Sequence, residues 1–205
     1  MLVNHVAFLE SDQRRKASNV LARAFHHDPM YQMVLPDEEK RADFLTWIFD
    51  RLLVYCIQHG RVFALDNFNG SALWLPPGKT KMTLLNMVRV GLYATPFKLG
   101  WKAYRLFDAY LSYANVLHKQ HAPKSHWYLL AIGVDPSSQG KGFGHAILQP
   151  MLEKIDTENI ACYLETGIEN NIGFYESHGF KVVCQEILPG YKLDVWGMLR
   201  NHAVE

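Results

Sequence analysis

The sequence predicts a single α/β domain, and three observations support that class. The chain has 205 residues, which suits one domain and allows a sizeable hydrophobic core. Hydrophobic residues make up 49% of it, as in ordinary globular proteins. In the C-terminal half, short apolar runs of strand character alternate with segments of helical periodicity. Such alternation is typical of a sheet whose central strands are covered by helices on both faces.

The chain is predicted to begin with a strand and a helix. Residues 3–9 alternate weakly between apolar and polar side chains, which is the period of a β-strand. Ser11 or Asp12 is expected to cap a helix that continues to about His26. The sequence HDP at 27–29 is expected to stop this helix, because proline cannot donate a backbone hydrogen bond.

A long helix and a hairpin are predicted next. Residues 38–59 place apolar side chains at i, i+3 and i+4, and Gly60 follows as a C-terminal cap. The apolar runs 61–65 and 71–76 flank the turn sequence DNFNG. This arrangement indicates a β-hairpin.

Residues 80–122 are predicted to form two helices packed as a hairpin. The break falls at ATPF, where Thr95 can cap a helix and Pro96 can occupy its first turn. The second helix has bulky side chains on more than one face, so it is either ordinary core or the wall of a pocket. These side chains are Trp101, Tyr104, Phe107, Tyr110, Leu111, Tyr113 and Leu117.

The remaining elements run from residue 127 to residue 199. Their predicted order is strand 127–134, a glycine-rich turn, helix 140–156 with Pro150 as a kink, strand 160–166, helix 171–178, strand 180–187 and strand 192–199.

Charge and cysteine usage narrow the function classes. With 21 basic and 20 acidic residues the net charge is +1, which predicts no nucleic-acid or membrane partner. The three cysteines, Cys56, Cys162 and Cys184, lack CxxC spacing and are expected to be reduced core residues. The opening residues lack the basic segment of a signal peptide, and no apolar run reaches about 18 residues. A cytoplasmic protein is predicted, and a homodimer is left open.

The stretch VDPSSQGKGFGHAIL at 134–148 predicts an anion site. Gly140, Gly142 and Gly144 stand where a helix begins, so backbone N–H groups and the positive end of the helix dipole point at one place. Phosphate or pyrophosphate is the ligand that such a place suits. The alternative is a tight strand-to-helix turn without a ligand.

Two familiar phosphate motifs do not fit this stretch. A P-loop needs Ser or Thr after its lysine, and Gly142 follows Lys141. A dinucleotide fingerprint needs a third glycine, but that position is His145 when counted from Gly140 and Ile147 when counted from Gly142.

A third motif does fit. The spacing of Gln139, Gly142 and Gly144 after a strand ending in VDP resembles the acetyl-coenzyme A pyrophosphate loop of the GCN5-related N-acetyltransferases (GNAT). The segment LETGIENNIGFYESHGF at 164–180 resembles the strand, helix and FYxxxGF signature of that family. More narrowly, both segments are similar to the puromycin N-acetyltransferase branch. The resemblance implies a mixed central sheet of about seven strands flanked by helices.

The resemblance also implies which residues bind the cofactor, acetyl-CoA. Backbone groups of Ile132 and Val134 are expected to pair with the pantetheine arm as an added strand. Asn171 is expected either to cap the next helix and contact the pantetheine as well, or to act as a cap alone. The pyrophosphate is expected on the N–H groups of the turn, formed by Gln139, Gly140, Lys141, Gly142, Phe143 and Gly144.

Two residues are the candidates for proton transfer. Tyr175 in the FYxxxGF segment is a phenol that can protonate a leaving thiolate at neutral pH, or else a core tyrosine. Glu165 is the candidate base, or else a buried carboxylate with a structural partner. Several family members carry a carboxylate or histidine where Tyr128 stands here, which leaves the base open, with His126 in reserve.

No metal site is predicted. His26, His27 and Asp28 are adjacent, and His118 and His121 share a helix turn, but neither group has HExxH spacing or a third ligand.

The function implied is acetyl transfer from acetyl-CoA to a primary amine of a small molecule, by direct attack in a ternary complex. Two alternatives stay open: a non-catalytic acyl-CoA-binding module or sensor, and a protein N-terminal acetyltransferase. The second needs an open groove, which the insertion at 80–122 is expected to cover.

Overall fold

The computed structural model describes residues 6–201 and contains one mixed sheet of seven strands, which confirms the predicted fold class. The strand order is β1-β2-β3-β4-β5-β7-β6, and only β4 and β5 are parallel neighbours. Residues 3–5 of the first predicted strand lie outside the described residues. The strands are β1 (Val6–Phe8), β2 (Arg61–Leu65), β3 (Gly70–Leu75), β4 (His126–Val134), β5 (Ala161–Thr166), β6 (Lys181–Ile187) and β7 (Asp194–Arg200).

Helices cover both faces of the sheet. One core lies between the sheet and the helices α1, α2, α3, α5 and α6, and a second lies between the opposite face and α7 with α8. The helices are α1 (Arg14–Ala24), α2 (Pro29–Val34), α3 (Glu38–His59), α4 (Leu84–Arg89), α5 (Thr95–Leu99), α6 (Trp101–His121), α7 (Phe143–Glu158) and α8 (Ile172–Glu176).

The N-terminal helices differ from the prediction in two ways. The chain enters α1 through a 3₁₀ turn capped by Glu10, whose N–H donates to Gln13 Oε1 at 3.3 Å, so neither Ser11 nor Asp12 is the cap. The HDP sequence also starts a helix instead of only ending one. Asp28 caps α2 by accepting from the Met30 N–H at 2.9 Å, with proline at the first helical position.

The predicted pair of helices in 80–122 is a set of three. Gly91 (φ 84°) and Gly100 (φ 74°) adopt left-handed or related conformations that interrupt the helical path twice. The result is two short helices, α4 and α5, followed by the long α6. Among residues 6–201, no helix is both long enough and apolar enough to cross a membrane.

Candidate active site

A cleft opens in the middle of the sheet, where β4 and β5 separate. The two strands pair only over 126–128 and 161–163, while β4 stays paired with β3 as far as Val134. The register between β3 and β4 shifts so that Leu130 is an extra residue on β4. Such a bulge bends and twists its strand. Within the described chain, the edge of β4 beyond Tyr128 therefore has no ladder with β5, and its backbone groups face the cleft.

The glycine turn lies at the wide end of this cleft. Gly140 (φ 74°) and Gly142 (φ 80°) are both left-handed, and a Cβ added to either would meet nothing within 4 Å. Gly144 is needed for a different reason, because a Cβ there would lie 3.0 Å from the Phe174 ring. The first two glycines thus leave an open cradle, and the third allows α7 to pack on α8.

The start of α7 offers free backbone donors to this cradle. The first intrahelical hydrogen bond runs from the Ala146 N–H to the Gly142 carbonyl at 3.1 Å. The N–H groups of Phe143, Gly144 and His145 precede it and point out of the helix end. A helix of 16 residues adds the positive end of its dipole behind them.

Side chains fix the shape of the turn. Asp135 accepts hydrogen bonds from the N–H and the hydroxyl of Ser137 and forms an ion pair with Arg23 at 2.6 Å. The Ser137 hydroxyl, with Arg23 second, lowers the pKa of the Asp135 carboxyl. Gln139 donates to the last carbonyl of β4, and Lys141 donates to the Ser137 carbonyl at 2.9 Å. Both side chains thus hold the loop closed through its own carbonyl groups.

We expect Gly142→Ala to weaken CoA binding without unfolding the protein. A left-handed alanine costs about 1–2 kcal/mol, and its methyl group would project into the cradle. Gly190→Ala is the matched control, because Gly190 has φ 82° and equally open surroundings but lies between β6 and β7. Calorimetric titration with CoA should show about a tenfold or greater loss of affinity for G142A only. Equal losses in both variants would contradict the assignment of the cradle.

Glu165 lies on β5 at the mouth of the cleft and is nearly enclosed. Its side chain is 8% exposed. Its Oε2 accepts a 2.7 Å hydrogen bond from the Tyr128 hydroxyl. Its Oε1 is buried without a hydrogen bond within residues 6–201, and His118 Nδ1 on α6 is 3.4 Å away. One carboxylate oxygen is therefore hydrogen-bonded, and the other is buried with only the His118 imidazole near it.

The proton positions around His118 follow from its neighbours. His126 Nδ1 faces the Pro123 carbonyl, which can only accept, so this nitrogen carries a proton. Burial lowers the pKa of His126, so its Nε2 is an unprotonated acceptor. His118 Nε2, 2.7 Å away, must then be the donor. The remaining nitrogen of His118 and the free oxygen of Glu165 have room for one shared proton between them.

Tyr175 lies on the other face of the sheet. It packs on Phe174 and Phe180, with ring centroids 5.2 and 6.0 Å away, and is 7% exposed. Burial raises the pKa of the Tyr175 phenol, which therefore stays protonated at neutral pH. Ile132 and Val134 pack against the same core cluster from β4. Tyr175 thus belongs to the same core as these two residues of the predicted pantetheine strand.

Asn171 precedes α8 but makes no side-chain capping hydrogen bond. The prediction that it caps this helix is wrong, because the chain enters α8 through a 3₁₀ turn whose backbone already has helical dihedrals there. Its side chain is left for another partner.

The sequence-based candidates omit a second carboxylate in this region. Burial raises the pKa of Asp28, at the start of α2, to about 6. The negative charge of Asp28 raises the phenol pKa of Tyr31 and of Tyr110, and the charge of Glu165 raises that of Tyr110 as well. Burial is the largest cause of the raised pKa of Tyr110, and the two carboxylates are the smaller causes. The DP dipeptide that begins α2 was the available signal, because an N-cap aspartate is held in place by the helix that it starts.

Comparison with known proteins identifies the family. The acetyltransferase (GNAT) family model matches residues 100–180. An uncharacterized N-acetyltransferase of Schizosaccharomyces pombe is 31% identical over 180 residues, which cover 84% of this chain and 72% of that relative. The chain belongs to the GNAT acetyltransferase family. It is therefore an acyltransferase, and acetyl-CoA is its acyl donor.

Solved structures share the fold of this GNAT chain at low sequence identity. Arylalkylamine N-acetyltransferase 2 from Aedes aegypti is 12% identical with a TM-score of 0.68, covering 98% of this chain and 100% of that one. A structure from Corynebacterium glutamicum described as histone acetyltransferase HPA2 and related acetyltransferase is 19% identical with a TM-score of 0.67, covering 98% of both chains. The NatC complex bound to Gag peptide and CoA contains a chain that is 10% identical with a TM-score of 0.50, covering 97% of this chain and 98% of that one.

The residues of the cleft fit acetyl-CoA. The cradle at the turn is open at two glycines, three free N–H groups point at it, and the unpaired edge of β4 leads from it to Glu165. The described part of the chain has no group of three or more His, Cys, Asp or Glu side chains placed to hold a metal ion.

Proposed function

We propose that the protein acetylates a primary amine of a small molecule by direct attack within a ternary complex. The observation that carries this proposal is the free, buried Oε1 of Glu165 at a cleft whose other end is the glycine cradle. A carboxylate oxygen without a partner in an enclosed site is an acceptor for an ammonium proton.

The proposed base and acid lie on opposite faces of the sheet. Glu165 shares its face with Tyr128, in the core formed with α6, whereas Tyr175 belongs to the core formed with α7. The separation of β4 and β5 is the passage between these faces. The amine can therefore approach Glu165 from the face covered by α6. The acetyl-CoA lies along β4 and reaches Tyr175 on the face covered by α7.

Glu165 takes the proton that a primary ammonium must lose before it can attack. The proton goes to Oε1 and is then shared with His118 Nδ1, which faces the same oxygen at 3.4 Å. Tyr128 holds the other oxygen and so fixes the direction of the first. An ion pair between His118 and Glu165 is the result, with His126 fixing the imidazole from behind.

Tyr175 is the proposed acid. Acetyl-CoA, when bound, supplies the acetyl group as a thioester. Tyr175 gives its phenolic proton to the departing sulfur as the C–S bond breaks and the C–N bond forms. The nitrogen then gives up its second proton, which returns through solvent to the Tyr175 phenolate and so balances the proton given to sulfur. Backbone groups of Ile132 and Val134, the turn 139–144 and Asn171 are the proposed contacts to the CoA.

Asp28 and its tyrosines are the proposed surroundings of a cationic acceptor. Two carboxylates, Asp28 and Glu165, influence the same buried phenol, Tyr110, and Tyr31 adds a second ring beside Asp28. Carboxylates attract an ammonium group, and aromatic rings favour organic cations. The Aedes aegypti protein with the same fold is an arylalkylamine N-acetyltransferase by name, which supports the same class of acceptor. The puromycin N-acetyltransferase-like branch is proposed on the sequence resemblance alone.

We expect Asp28→Asn to stabilise the protein at pH 7 and to weaken acceptor binding. The folded-state pKa lies above the ordinary value of 3.8, so stability is lost as the pH rises from about 4 to about 6. Asparagine removes this loss of stability, which is about 1–3 kcal/mol at pH 7 and only about 0.5 kcal/mol at pH 4. The KM for the amine should rise about tenfold or more.

Urea unfolding at both pH values measures the first effect, and Asp37→Asn is the control. Asp37 also caps a helix, α3, but its pKa is lowered by the Lys40 N–H. That variant should lose stability at pH 7 instead of gaining it. A gain in D28N that is as large at pH 4 as at pH 7 would contradict the assigned cause.

The function is tested by incubating the protein with acetyl-CoA and a panel of amines, with detection of free thiol and of the acetylated product by mass. Arylalkylamines and polyamines should give thiol release, whereas peptides with free N-termini should not. Release with peptides alone would support a protein N-terminal acetyltransferase, in line with the Gag peptide in the NatC structure. Tight CoA binding with no release for any amine or peptide would support a non-catalytic module.

Cytoplasmic location is proposed on the cysteines. Cys56 and Cys162 are buried as free thiols and Cys184 is partly buried, which suits a reducing compartment.

A further inference from the structure

The segment 79–107, which holds α4, α5 and the start of α6, carries an uneven share of the charge. It contains six basic residues and no acidic residue, so the rest of the chain has a net charge of −5 although the whole has +1. The expectation of no membrane partner depended on the net charge of the whole chain. That sum does not show the positive charge of this segment, because the rest of the chain is negative. All six basic side chains are exposed: Lys79, Lys81, Arg89, Lys98, Lys102 and Arg105.

The same segment exposes large apolar side chains. Leu84 is 82% exposed, Phe97 is 88% exposed and Trp101 is 70% exposed. Three further apolar or aromatic residues are more than half exposed, namely Leu85, Val88 and Tyr93. So many open apolar side chains within one short segment mark an interaction surface.

The packing of the segment explains why these side chains face outward. A separate set of apolar residues, including Val90, Leu92 and Leu99, is buried and joins the core beneath α5 and α6. These buried residues fill the core beneath the segment, so the exposed apolar side chains are not part of it. Leu84 and Val88 lie about one helical turn apart on α4, and Phe97 and Trp101 stand on either side of the break at Gly100 between α5 and α6.

We propose that the segment 79–107 binds the surface of an anionic phospholipid bilayer. Exposed Leu, Phe and Trp side chains surrounded by Lys and Arg are typical of elements that lie in the membrane interface. The apolar side chains enter the headgroup region, and the basic side chains lie against lipid phosphates and carboxylates.

A second copy of this chain is a poorer occupant of the same surface. A two-fold contact places identical patches against each other, so the basic side chains of this segment would be brought near the same side chains of the second copy. Like charges across an interface oppose association. The complementary partner is therefore an anionic surface and not the chain itself.

The surface lies away from the proposed chemistry. Trp101 and His118 stand near opposite ends of α6, about 25 Å apart along its axis. Substitutions in the exposed row should therefore leave kcat and KM for a soluble amine unchanged. This separates the lipid proposal from the proposed acetyl transfer, which can fail or hold independently.

Flotation of the full chain with vesicles tests the proposal. The protein should float with vesicles of phosphatidylcholine mixed with phosphatidylserine and stay in solution with phosphatidylcholine alone. Raising the salt should release it, because the Debye length shortens. Phe97→Ser with Trp101→Ser should abolish flotation. Lys102→Glu with Arg105→Glu should weaken binding about 25-fold or more, at about fivefold for each basic residue near the surface.

Matched controls change the same properties elsewhere. Val182→Ser with Ile187→Ser removes exposed apolar side chains on β6, and Lys124→Glu with Lys181→Glu reverses two exposed charges outside the segment. Both should float like the unmodified protein. Equal flotation of F97S/W101S and the unmodified protein would overturn the proposal, as would equal binding to neutral vesicles. Sedimentation as a dimer that F97S/W101S converts to a monomer would assign the surface to self-association instead, and would also overturn it.

Discussion

Replacing Glu165 by glutamine is expected to lower kcat by about 10²–10⁴-fold at pH 7. Glutamine keeps the shape of the side chain and its contact with Tyr128 but cannot take a proton. The free Oε1, buried beside His118, is the atom through which the loss occurs. The affinity for CoA should stay within about twofold, because the cradle is formed by other residues. Steady-state kinetics with a reactive amine and titration with CoA measure the two quantities.

The control for this variant is Glu186→Gln, which removes an exposed carboxylate on β6 and should leave kcat unchanged. Tyr128→Phe adds a second comparison, because it removes the hydrogen bond to Oε2 but leaves the carboxylate. We expect it to lose about tenfold or less in kcat. If E165Q turned over at the rate of the unmodified protein, Glu165 would be a structural carboxylate and the base would lie elsewhere.

Replacing Tyr175 by phenylalanine is expected to lower kcat by a similar factor, about 10²–10⁴. The change removes only a hydroxyl, and the ring contacts with Phe174 and Phe180 remain. Burial raises the pKa of this phenol, so no loss of activity from its ionisation is expected up to about pH 10. A pH profile of kcat, together with CoA titration, measures both effects.

Tyr191→Phe is the matched control, since Tyr191 is 40% exposed between β6 and β7. It should leave kcat and CoA affinity unchanged. If Y175F lost CoA affinity and kcat to the same extent, Tyr175 would bind the cofactor and would not be the acid.

The glycine turn could be predicted from the sequence because its chemistry is local. Gly140 and Gly142 need left-handed backbone angles, and no other residue type meets that need as easily. The alternation of strands and helices likewise follows from period, and the seven-stranded sheet agrees with it. Residue type and local spacing in the sequence were enough to predict these two features.

The surroundings of Glu165 could not be predicted, because they depend on long-range packing. His118 reaches it from α6 and Tyr128 from β4, at sequence separations of 47 and 37. The periodicity of neither segment predicts that these side chains contact Glu165. Asp28 was missed for a local reason instead: the proline after it signals the end of one helix, but it also begins α2.

A crystal structure of the protein with acetyl-CoA tests the central claim most directly. We expect the pyrophosphate to accept hydrogen bonds from backbone N–H groups of the turn 139–144 and the first turn of α7. We expect the thioester to lie in the cleft between β4 and β5, between Glu165 and Tyr175. A pyrophosphate bound outside the glycine turn, or a thioester bound away from that cleft, would contradict it.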